Sequence, residues 1–185
     1  ADLVFLAVHP PEVKNSLEEI KDSLEAETVM VSLAPKIKID TIHQILDKSC
    51  PVIRMIPNAP SVINKGYNVI AYSNNLSFDT NERHGQVMEL LKELGELVHV
   101  DQEDKLEAYA VITGMGPTYL WFQWHELYQI AKEFGMDDKE ARGAISKMVK
   151  GSVETLLESE LSFDEVMDLI PFQPMSQHHN SFREV

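Results

Sequence analysis

The sequence contains few of the features that most directly indicate a function. Its 185 residues include a single cysteine, Cys50, so an intramolecular disulfide is impossible and a reducing compartment, the cytoplasm, is predicted. Lysine and arginine number 16 against 30 acidic residues, a formal net charge of −14. Such a chain repels phosphate backbones and anionic lipid, so neither nucleic acid nor a membrane surface is expected as a partner. Solubility alone is a sufficient reason for the acidity.

Several motifs that carry chemistry are also missing. No apolar run approaches the roughly 18 to 20 residues that span a bilayer. Neither a G-x-G-x-x-G nor a Walker phosphate motif occurs. No metal site is predicted, because the adjacent His178 and His179 have no third ligand at a suitable spacing. Cys50 has no neighbour that would activate it, and no Ser-His-Asp arrangement or nucleophile elbow stands out.

The first half of the sequence alternates between strand and helix patterns. Apolar runs at 2–8, 28–33 and 51–56 predict three buried strands. Two helices are expected between them, with apolar residues at helical spacing: Val13, Leu17, Ile20 and Leu24 after Pro10, then Ile39, Ile42 and Leu46. This β-α-β-α-β order predicts a parallel sheet with right-handed crossovers.

Further strands are predicted at 67–73 and 96–100, separated by a helix that Asp79 and Glu82 cap and Gly95 ends. From about residue 101 the strand patterns stop. The predicted fold is therefore α/β plus all-α, the C-terminal part of a Rossmann-type parallel sheet followed by a helical dimerisation domain. The corresponding domains are 1–101 and 102–185.

Proline, glycine and capping residues along the second half of the sequence predict several helices. One is expected to end near Thr113, before the GMGP break at 114–117, and a long one then runs from Pro117 to Gly135. Two capping boxes predict the next helix starts, and their residues are Asp137 with Glu140 and Ser162 with Glu165.

The predicted helices are unusually apolar, and small residues along them would let another helix approach closely. These residues either pack inside one small bundle or support a two-fold dimer, and the dimer is favoured. They are Leu120, Trp121, Trp124, Leu127, Tyr128, Ala131, Phe134, Met148, Val153, Leu156 and Leu157, with the small Ala141, Gly143, Ala144, Gly151 and Ser152.

Three proline-containing segments follow the predicted parallel strands, at 7–10, 32–35 and 55–60. Ligands of open parallel sheets bind beyond the carboxyl ends of the strands, so these segments suit a flat, partly apolar ring, although prolines can simply end strands. The candidate cofactor-binding residues are Ala7, Val8, His9, Pro10, Leu33, Ala34, Pro57 and Asn58. Asn58 either holds a ligand or stabilises its own turn, and His9 is more simply a surface histidine.

The GMGP segment is the second candidate site. Glycines allow close approach of a ligand, and the following helix offers free N–H groups to a carboxylate, although a tight interhelical turn explains the motif equally well. The candidate substrate-binding residues are Gly114, Met115, Gly116 and Pro117, with Gln173 from a later loop. Thr118 and Tyr119 are candidate catalytic residues by position only.

Four segments in order, ADLVFLAVHP, VSLAP, VIRMIPNAPSVINKG and ITGMGPTY, resemble motifs of the pyrroline-5-carboxylate reductases over nearly the whole chain. The resemblance implies a Rossmann domain followed by a helical domain that dimerises through interlocking helices. It implies NADP or NAD as cofactor, a small-molecule substrate and reduction of a C=N bond in a cyclic imine, giving an amino acid such as proline. It also implies that the N-terminal half of the Rossmann domain, with its pyrophosphate-binding turn, lies outside this chain.

The sequence departs from the family at two motifs. His9 stands where the family's Ala-Val-Lys-Pro motif has lysine, and 170–175 reads IPFQPM where the family has a Ser-Pro-Gly-Gly-Thr-Thr loop that holds the substrate carboxylate. An altered substrate is therefore expected. The rival hypothesis is a non-catalytic dimerising or binding protein that keeps the reductase fold.

Overall fold

The computed structural model describes residues 1–47, 50–74, 76 and 81–178. Contacts between Cα atoms divide the chain into two compact units, Ala1–Leu120 and Trp121–Val185. The first unit includes the helix that follows residue 101, because Leu106 of that helix is fully buried with Ile56 and Val69 of the sheet. The division into domains 1–101 and 102–185, which the sequence analysis proposed, stays a prediction.

The first unit is built on a five-stranded sheet in the order β1-β2-β3-β4-β5. Its strands are β1 (Leu3–Leu6), β2 (Val29–Ser32), β3 (Val52–Ile56), β4 (Gly66–Tyr72) and β5 (Gly95–His99). The first three pair in parallel, with Leu6 beside Ser32 and Ser32 beside Arg54, as their apolar runs and intervening helices predict. The predicted fold class is confirmed. β1 lies at the side of the sheet, so its Phe5 is 47% exposed rather than covered on both faces.

The sheet is not parallel throughout, since β4 runs antiparallel to β3 while β5 runs parallel to β4. The short Ala59–Ile63 3₁₀ helix turns the chain between β3 and β4, and a connection this short permits only an antiparallel pair. Gly95 does not end the preceding helix as predicted. It is the first residue of β5, has φ +129° and pairs with Gly66.

Helices cover both faces of the sheet. On one face lie α1 (Pro10–Ile20) and α2 (Ile39–Leu46), which bury Val13, Leu17 and Ile42 against the sheet. On the other lies α3 (Glu82–Lys92), which buries Val87 and Leu91. The N-cap of α3 is Asn81, whose side chain accepts from the N–H groups of Arg83 and His84. The predicted cap Asp79 lies outside the described residues.

The predicted glycine break at 114–117 is instead part of a nearly continuous helical segment. Helix α4 (Lys105–Tyr109) leads into one turn of π-helix (Ala110–Gly114), called the π-turn below, and Gly116 begins α5 (Gly116–Glu133). The N–H of Met115 donates to the carbonyl of Ala110, five residues back, at 2.9 Å. Neither Gly114 nor Gly116 has a positive φ, so no sharp turn requires them.

The second unit is helical and has little core of its own. The rest of α5 is followed by α6 (Asp138–Leu157) and α7 (Phe163–Asp168), and both predicted capping boxes are present. Among residues 121–178, all of which the structure describes, only Ala141 is buried. The apolar residues predicted from the sequence are therefore not enclosed within this unit.

In the described part of the chain, none of the helices is long and apolar enough to cross a membrane. Within the same residues, no group of three or more His, Cys, Asp and Glu side chains is arranged to hold a metal ion.

Candidate functional site

The carboxyl ends of β1, β2 and β3 lie together because these strands run in parallel. The Leu33 N–H donates to the Leu6 carbonyl at 3.0 Å, so the first two strand-end segments stay adjacent beyond the strands. Ala7 and His9 are exposed here, Val8, Leu33 and Pro57 are half-buried, and only Ala34 is buried. The eight candidate cofactor-binding residues therefore belong to one end of the sheet, as the strand pattern predicts.

His9 is the N-cap residue of α1, and Pro10 occupies the first turn. The imidazole of His9 makes no capping hydrogen bond, although the His9 carbonyl accepts from the Glu12 N–H at 2.9 Å. The side chain is exposed at the end of the sheet where β1 terminates. The position agrees with both interpretations of His9, a residue that faces a ligand and an ordinary surface histidine.

The Asn58 side chain is part of a hydrogen-bonded loop. The Asn58 Oδ1 atom accepts from the backbone N–H of Tyr67 at 3.0 Å, and the backbone N–H of Asn58 donates to Asn68 Oδ1 at 3.2 Å. The Ser61 hydroxyl also donates to Asn68 Oδ1, at 2.8 Å. These bonds tie the segment after β3 to the start of β4. They are the hydrogen bonds that the turn-stabilising interpretation of Asn58 predicts, and its assignment as a cofactor-binding residue stays a prediction.

The π-turn brings the substrate-side segment against the cofactor-side segment. A Cβ atom added to Gly114 would lie 3.4 Å from Ile56 Cγ2 and 3.9 Å from the Pro57 carbonyl oxygen. A Cβ atom at Gly114 would thus be in ordinary van der Waals contact with the end of β3. Two segments that the sequence singled out separately therefore meet at one place.

The candidate catalytic residues lie just beyond the π-turn, on the first turn of α5. The Thr118 hydroxyl donates to the Met115 carbonyl at 2.6 Å, so its proton is held by the backbone in this structure. Tyr119 is partly exposed, as is Met115. Thr118 is therefore placed to accept a hydrogen bond from a ligand while its own proton stays on the backbone.

A buried charged cluster that the sequence analysis did not predict joins β3 to α4 and the residues just before it. Arg54 in β3 is 1% exposed, and its two terminal nitrogens donate to Glu103 Oε1 at 2.8 Å and to Glu107 Oε1 at 3.0 Å. A charge in an otherwise apolar strand must be paired when the strand is buried, so Arg54 within VIRMI was the available signal.

A third ion pair extends this cluster to the surface. Lys38 Nζ lies 2.7 Å from Asp104 Oδ1. The hydrogen bond to Lys38, followed by its charge, lowers the pKa of the Asp104 carboxyl, and the same hydrogen bond and charge raise the pKa of Lys38. Both groups are exposed, so this pair contributes less to stability than the buried Arg54 contacts.

Gln173 belongs to the second unit, and its side chain is hydrogen-bonded to that unit's own backbone. Its Nε2 donates to the Met167 carbonyl at 3.1 Å, which fastens the 170–175 segment to the end of α7. Ile170 and Phe172 in this segment are largely exposed, at 68% and 78%. A groove of about 660 Å³ lies beside the segment, bounded also by Met148, Gly151 and Thr155.

A separate groove of about 540 Å³ lies at the opposite end of the sheet, where β4 and β5 terminate. The rings of Tyr72 and His99 stack there with centroids 4.2 Å apart, and Asp40 and His43 of α2 form the facing side. His43 Nε2 is bonded to the Cys50 carbonyl at 2.9 Å. None of the sequence-predicted site residues lines this groove, so it is distinct from the strand-end site.

Comparison with known proteins shows what each part of the chain is similar to. Residues 103–170 match the family model described as pyrroline-5-carboxylate reductase dimerisation. Together with the sheet of the first unit, this match defines a Rossmann-type sheet followed by a helical domain of the dimerisation type.

Curated pyrroline-5-carboxylate reductases are similar to this chain over most of its length. Those from Staphylococcus epidermidis and Staphylococcus aureus are 26% and 27% identical to it over 166 residues, which is 90% of this chain and 60% of each relative. The chain therefore spans about three fifths of the length of these relatives.

Solved structures extend the likeness to the whole chain. The pyrroline-5-carboxylate reductase of Coxiella burnetii has a TM-score of 0.67 and 25% identity, covering 100% of this chain and 67% of its own. A Plasmodium falciparum pyrroline carboxylate reductase solved with NADP bound shares the fold, at a TM-score of 0.77 and 20% identity, covering 100% of this chain and 71% of its own. These findings show that the chain is similar to pyrroline-5-carboxylate reductases and that its residues 103–170 match the model of their dimerisation region.

Proposed function

We propose that this protein is an NAD(P)H-dependent reductase that reduces the C=N bond of a cyclic imine related to pyrroline-5-carboxylate. The observation that carries the proposal is the proximity of Gly114 to the end of β3, which supports a site built from the two predicted halves. The similarity to curated reductases of that name and to a relative solved with NADP supports the same chemistry.

The strand-end residues fit the nicotinamide half of such a cofactor. Ala7, Val8, Leu33 and Pro57 are small or apolar, and Ala7 is exposed at the carboxyl end of β1. When bound, the cofactor supplies the hydride, while these residues orient its ring and exclude water from it. The region of the π-turn and the start of α5, with Gly114, Met115 and Thr118, lines the substrate side.

The 170–175 segment is the basis for an altered substrate. The small residues and hydroxyls of the family's carboxylate-binding loop are replaced here by Ile170, Phe172 and Gln173, and Gln173 is bonded to its own unit. A substrate with a larger apolar portion, or with no carboxylate at this position, would suit the segment better than a proline precursor. The same replacement favours the alternative, a dimerising protein that retains the fold without turnover.

One titration and one assay distinguish these functions. The full-length protein is titrated with NADPH and with NADH while nucleotide fluorescence is followed, and pyrroline-5-carboxylate reduction is then measured with the better cofactor. Binding with turnover supports reduction of the proline precursor, and binding without turnover supports a reductase with another substrate. If neither cofactor binds, the reductase proposal fails and the non-catalytic alternative is favoured.

Two further features belong to this proposal. We infer that the helical unit forms a homodimer, because its matched family model is one of dimerisation and its apolar residues are exposed. A cytoplasmic location agrees with the single cysteine, and fractionation of the source cells would test it.

A further inference from the structure

The Arg54 cluster links three segments that surround the proposed crevice. Arg54 lies two residues before the end of β3, fully buried, and its two terminal nitrogens each meet a different carboxylate of the 103–107 segment. A buried guanidinium requires such partners, since an uncompensated charge in the interior is strongly destabilising. The arginine therefore fixes where this acidic segment packs on the sheet.

Each carboxylate oxygen that binds Arg54 also accepts a second donor from the connection between β2 and α2. Glu103 Oε1 accepts from the Ile39 N–H at 2.8 Å, and Glu107 Oε1 accepts from the Lys36 N–H at 3.2 Å. Lys36 has a φ of +64°, a left-handed conformation that is uncommon for a residue with a side chain. The loop that follows Leu33 and Ala34 is thus held in an unfavourable backbone conformation by the partners of Arg54.

The acidic segment also continues directly into the π-turn. Glu107 is seven residues before Gly114, and helical backbone joins the two without interruption. Leu106 is fully buried between them and the sheet, so α4 has both an apolar and a charged attachment. A displacement of α4 would be transmitted to Gly114, which already lies against Ile56 and Pro57.

We propose that Arg54, Glu103 and Glu107 act together as positioning residues, setting the β2–α2 loop and the π-turn at the separation that the cofactor crevice requires. The inference rests on the proposed reductase function. These three residues touch neither cofactor nor substrate in the proposal. They act through Leu33 and Ala34 on one side of the crevice and through Gly114 on the other.

The test uses single substitutions of Glu107 in the full-length protein. Glu107→Ala removes both contacts, Glu107→Gln keeps an acceptor without the charge, and Glu89→Ala removes an exposed carboxylate from α3 on the other face as a matched control. Amide hydrogen exchange is followed by mass spectrometry in segments 33–39 and 105–116. Dissociation constants for NADPH and NADH are measured on the same samples.

We expect Glu107→Ala to speed exchange in both segments by about tenfold, because a charge-assisted hydrogen-bonded pair is lost there. Exchange in α1 and α3 should stay within about twofold of the wild type, since their contacts are unchanged. The dissociation constant of the bound cofactor should rise by a similar factor of about ten. The exchange rates and the dissociation constant of Glu107→Gln should lie between those of the wild type and Glu107→Ala, and those of Glu89→Ala should match the wild type.

Three results would overturn the positioning role. One is unchanged exchange in the two segments, and a second is a uniform rise over the whole chain, which indicates loss of stability alone. The third is faster local exchange with an unchanged cofactor affinity. If the wild type binds neither NADPH nor NADH, the proposed function fails by itself, and the exchange pattern still decides whether Glu107 holds the two segments.

Discussion

At the scale of single residues, amide side chains build the loop that carries the most specific sequence motif. Asn58 and Asn68 exchange bonds with backbone and side-chain groups across the β3–β4 connection. Pro57 precedes Asn58 and Pro60 lies two residues after it, and both restrict the backbone conformation of the loop further. The result is a fixed end to β3, at the point where the π-turn makes contact.

Substitution of Asn58 tests this structural role directly. Asn58→Ala leaves the half-buried Tyr67 N–H without its acceptor, so the free energy of unfolding should fall by about 1 to 3 kcal/mol. Asn58→Asp keeps the acceptor and should lose less than Asn58→Ala. Urea unfolding followed by circular dichroism measures both, and equal losses in the two variants would contradict the assignment of Oδ1 as the stabilising atom.

At the scale of secondary structure, the sequence predicted the elements and the parallel pairing of the first three strands, but not the direction of β4. Capping boxes at Asp137 and Ser162 are local, so their residues alone specify the helix starts. The direction of β4 is set by the 3₁₀ connection and by pairing with β3, and an alternation of apolar residues contains no information about direction. The element was found, while its antiparallel pairing was not.

The site shows the same division. The strand-end segments were predictable because parallel strands bring their carboxyl ends together. The glycines of GMGP were noticed, but they were interpreted as a break, whereas Gly114 belongs to a helical turn beside Ile56, whose Cγ2 would lie 3.4 Å from a Cβ at Gly114. This proximity involves a residue 58 positions earlier in the chain, which local pattern does not reveal. Arg54 was missed because its partners are equally distant.

The start of β4 depends on a second close approach. A Cβ on Gly66 would lie 2.6 Å from Asn68 Nδ2 and 2.7 Å from the Leu94 carbonyl, and it would also overlap Ser61 Oγ. Gly66→Ala should therefore displace the pairing of β4 with β5 and lower the free energy of unfolding by about 1 to 3 kcal/mol. Urea unfolding gives the value. Gly116→Ala is the control because, apart from its chain neighbours and its own helix backbone, no described atom lies within 4 Å of its added Cβ, and an equal loss there would contradict the overlap argument.

At the scale of the whole molecule, the two units differ in how they bury apolar surface. The sheet of the first unit has buried side chains on both faces, from Met30 on one and Ile53 on the other. The second unit, over residues 121–178, buries Ala141 alone. A helical unit without a core of its own requires another surface to cover it, and a symmetric pair of identical units supplies one with no additional partner.

Gly151 offers the sharpest test of the proposed dimer. Apart from its chain neighbours and the backbone of its own helix, no described atom lies within 4 Å of a Cβ added to Gly151, which adjoins the apolar groove beside α6. Gly151→Leu should therefore leave the fold of one chain unchanged while it prevents a second chain from packing closely. Light scattering at micromolar concentration should give twice the mass of one chain for the wild type and for the α3 control Glu89→Leu, but a monomer for Gly151→Leu. A monomeric wild type would refute the dimer, and a dimeric Gly151→Leu would exclude this face of α6 from the interface.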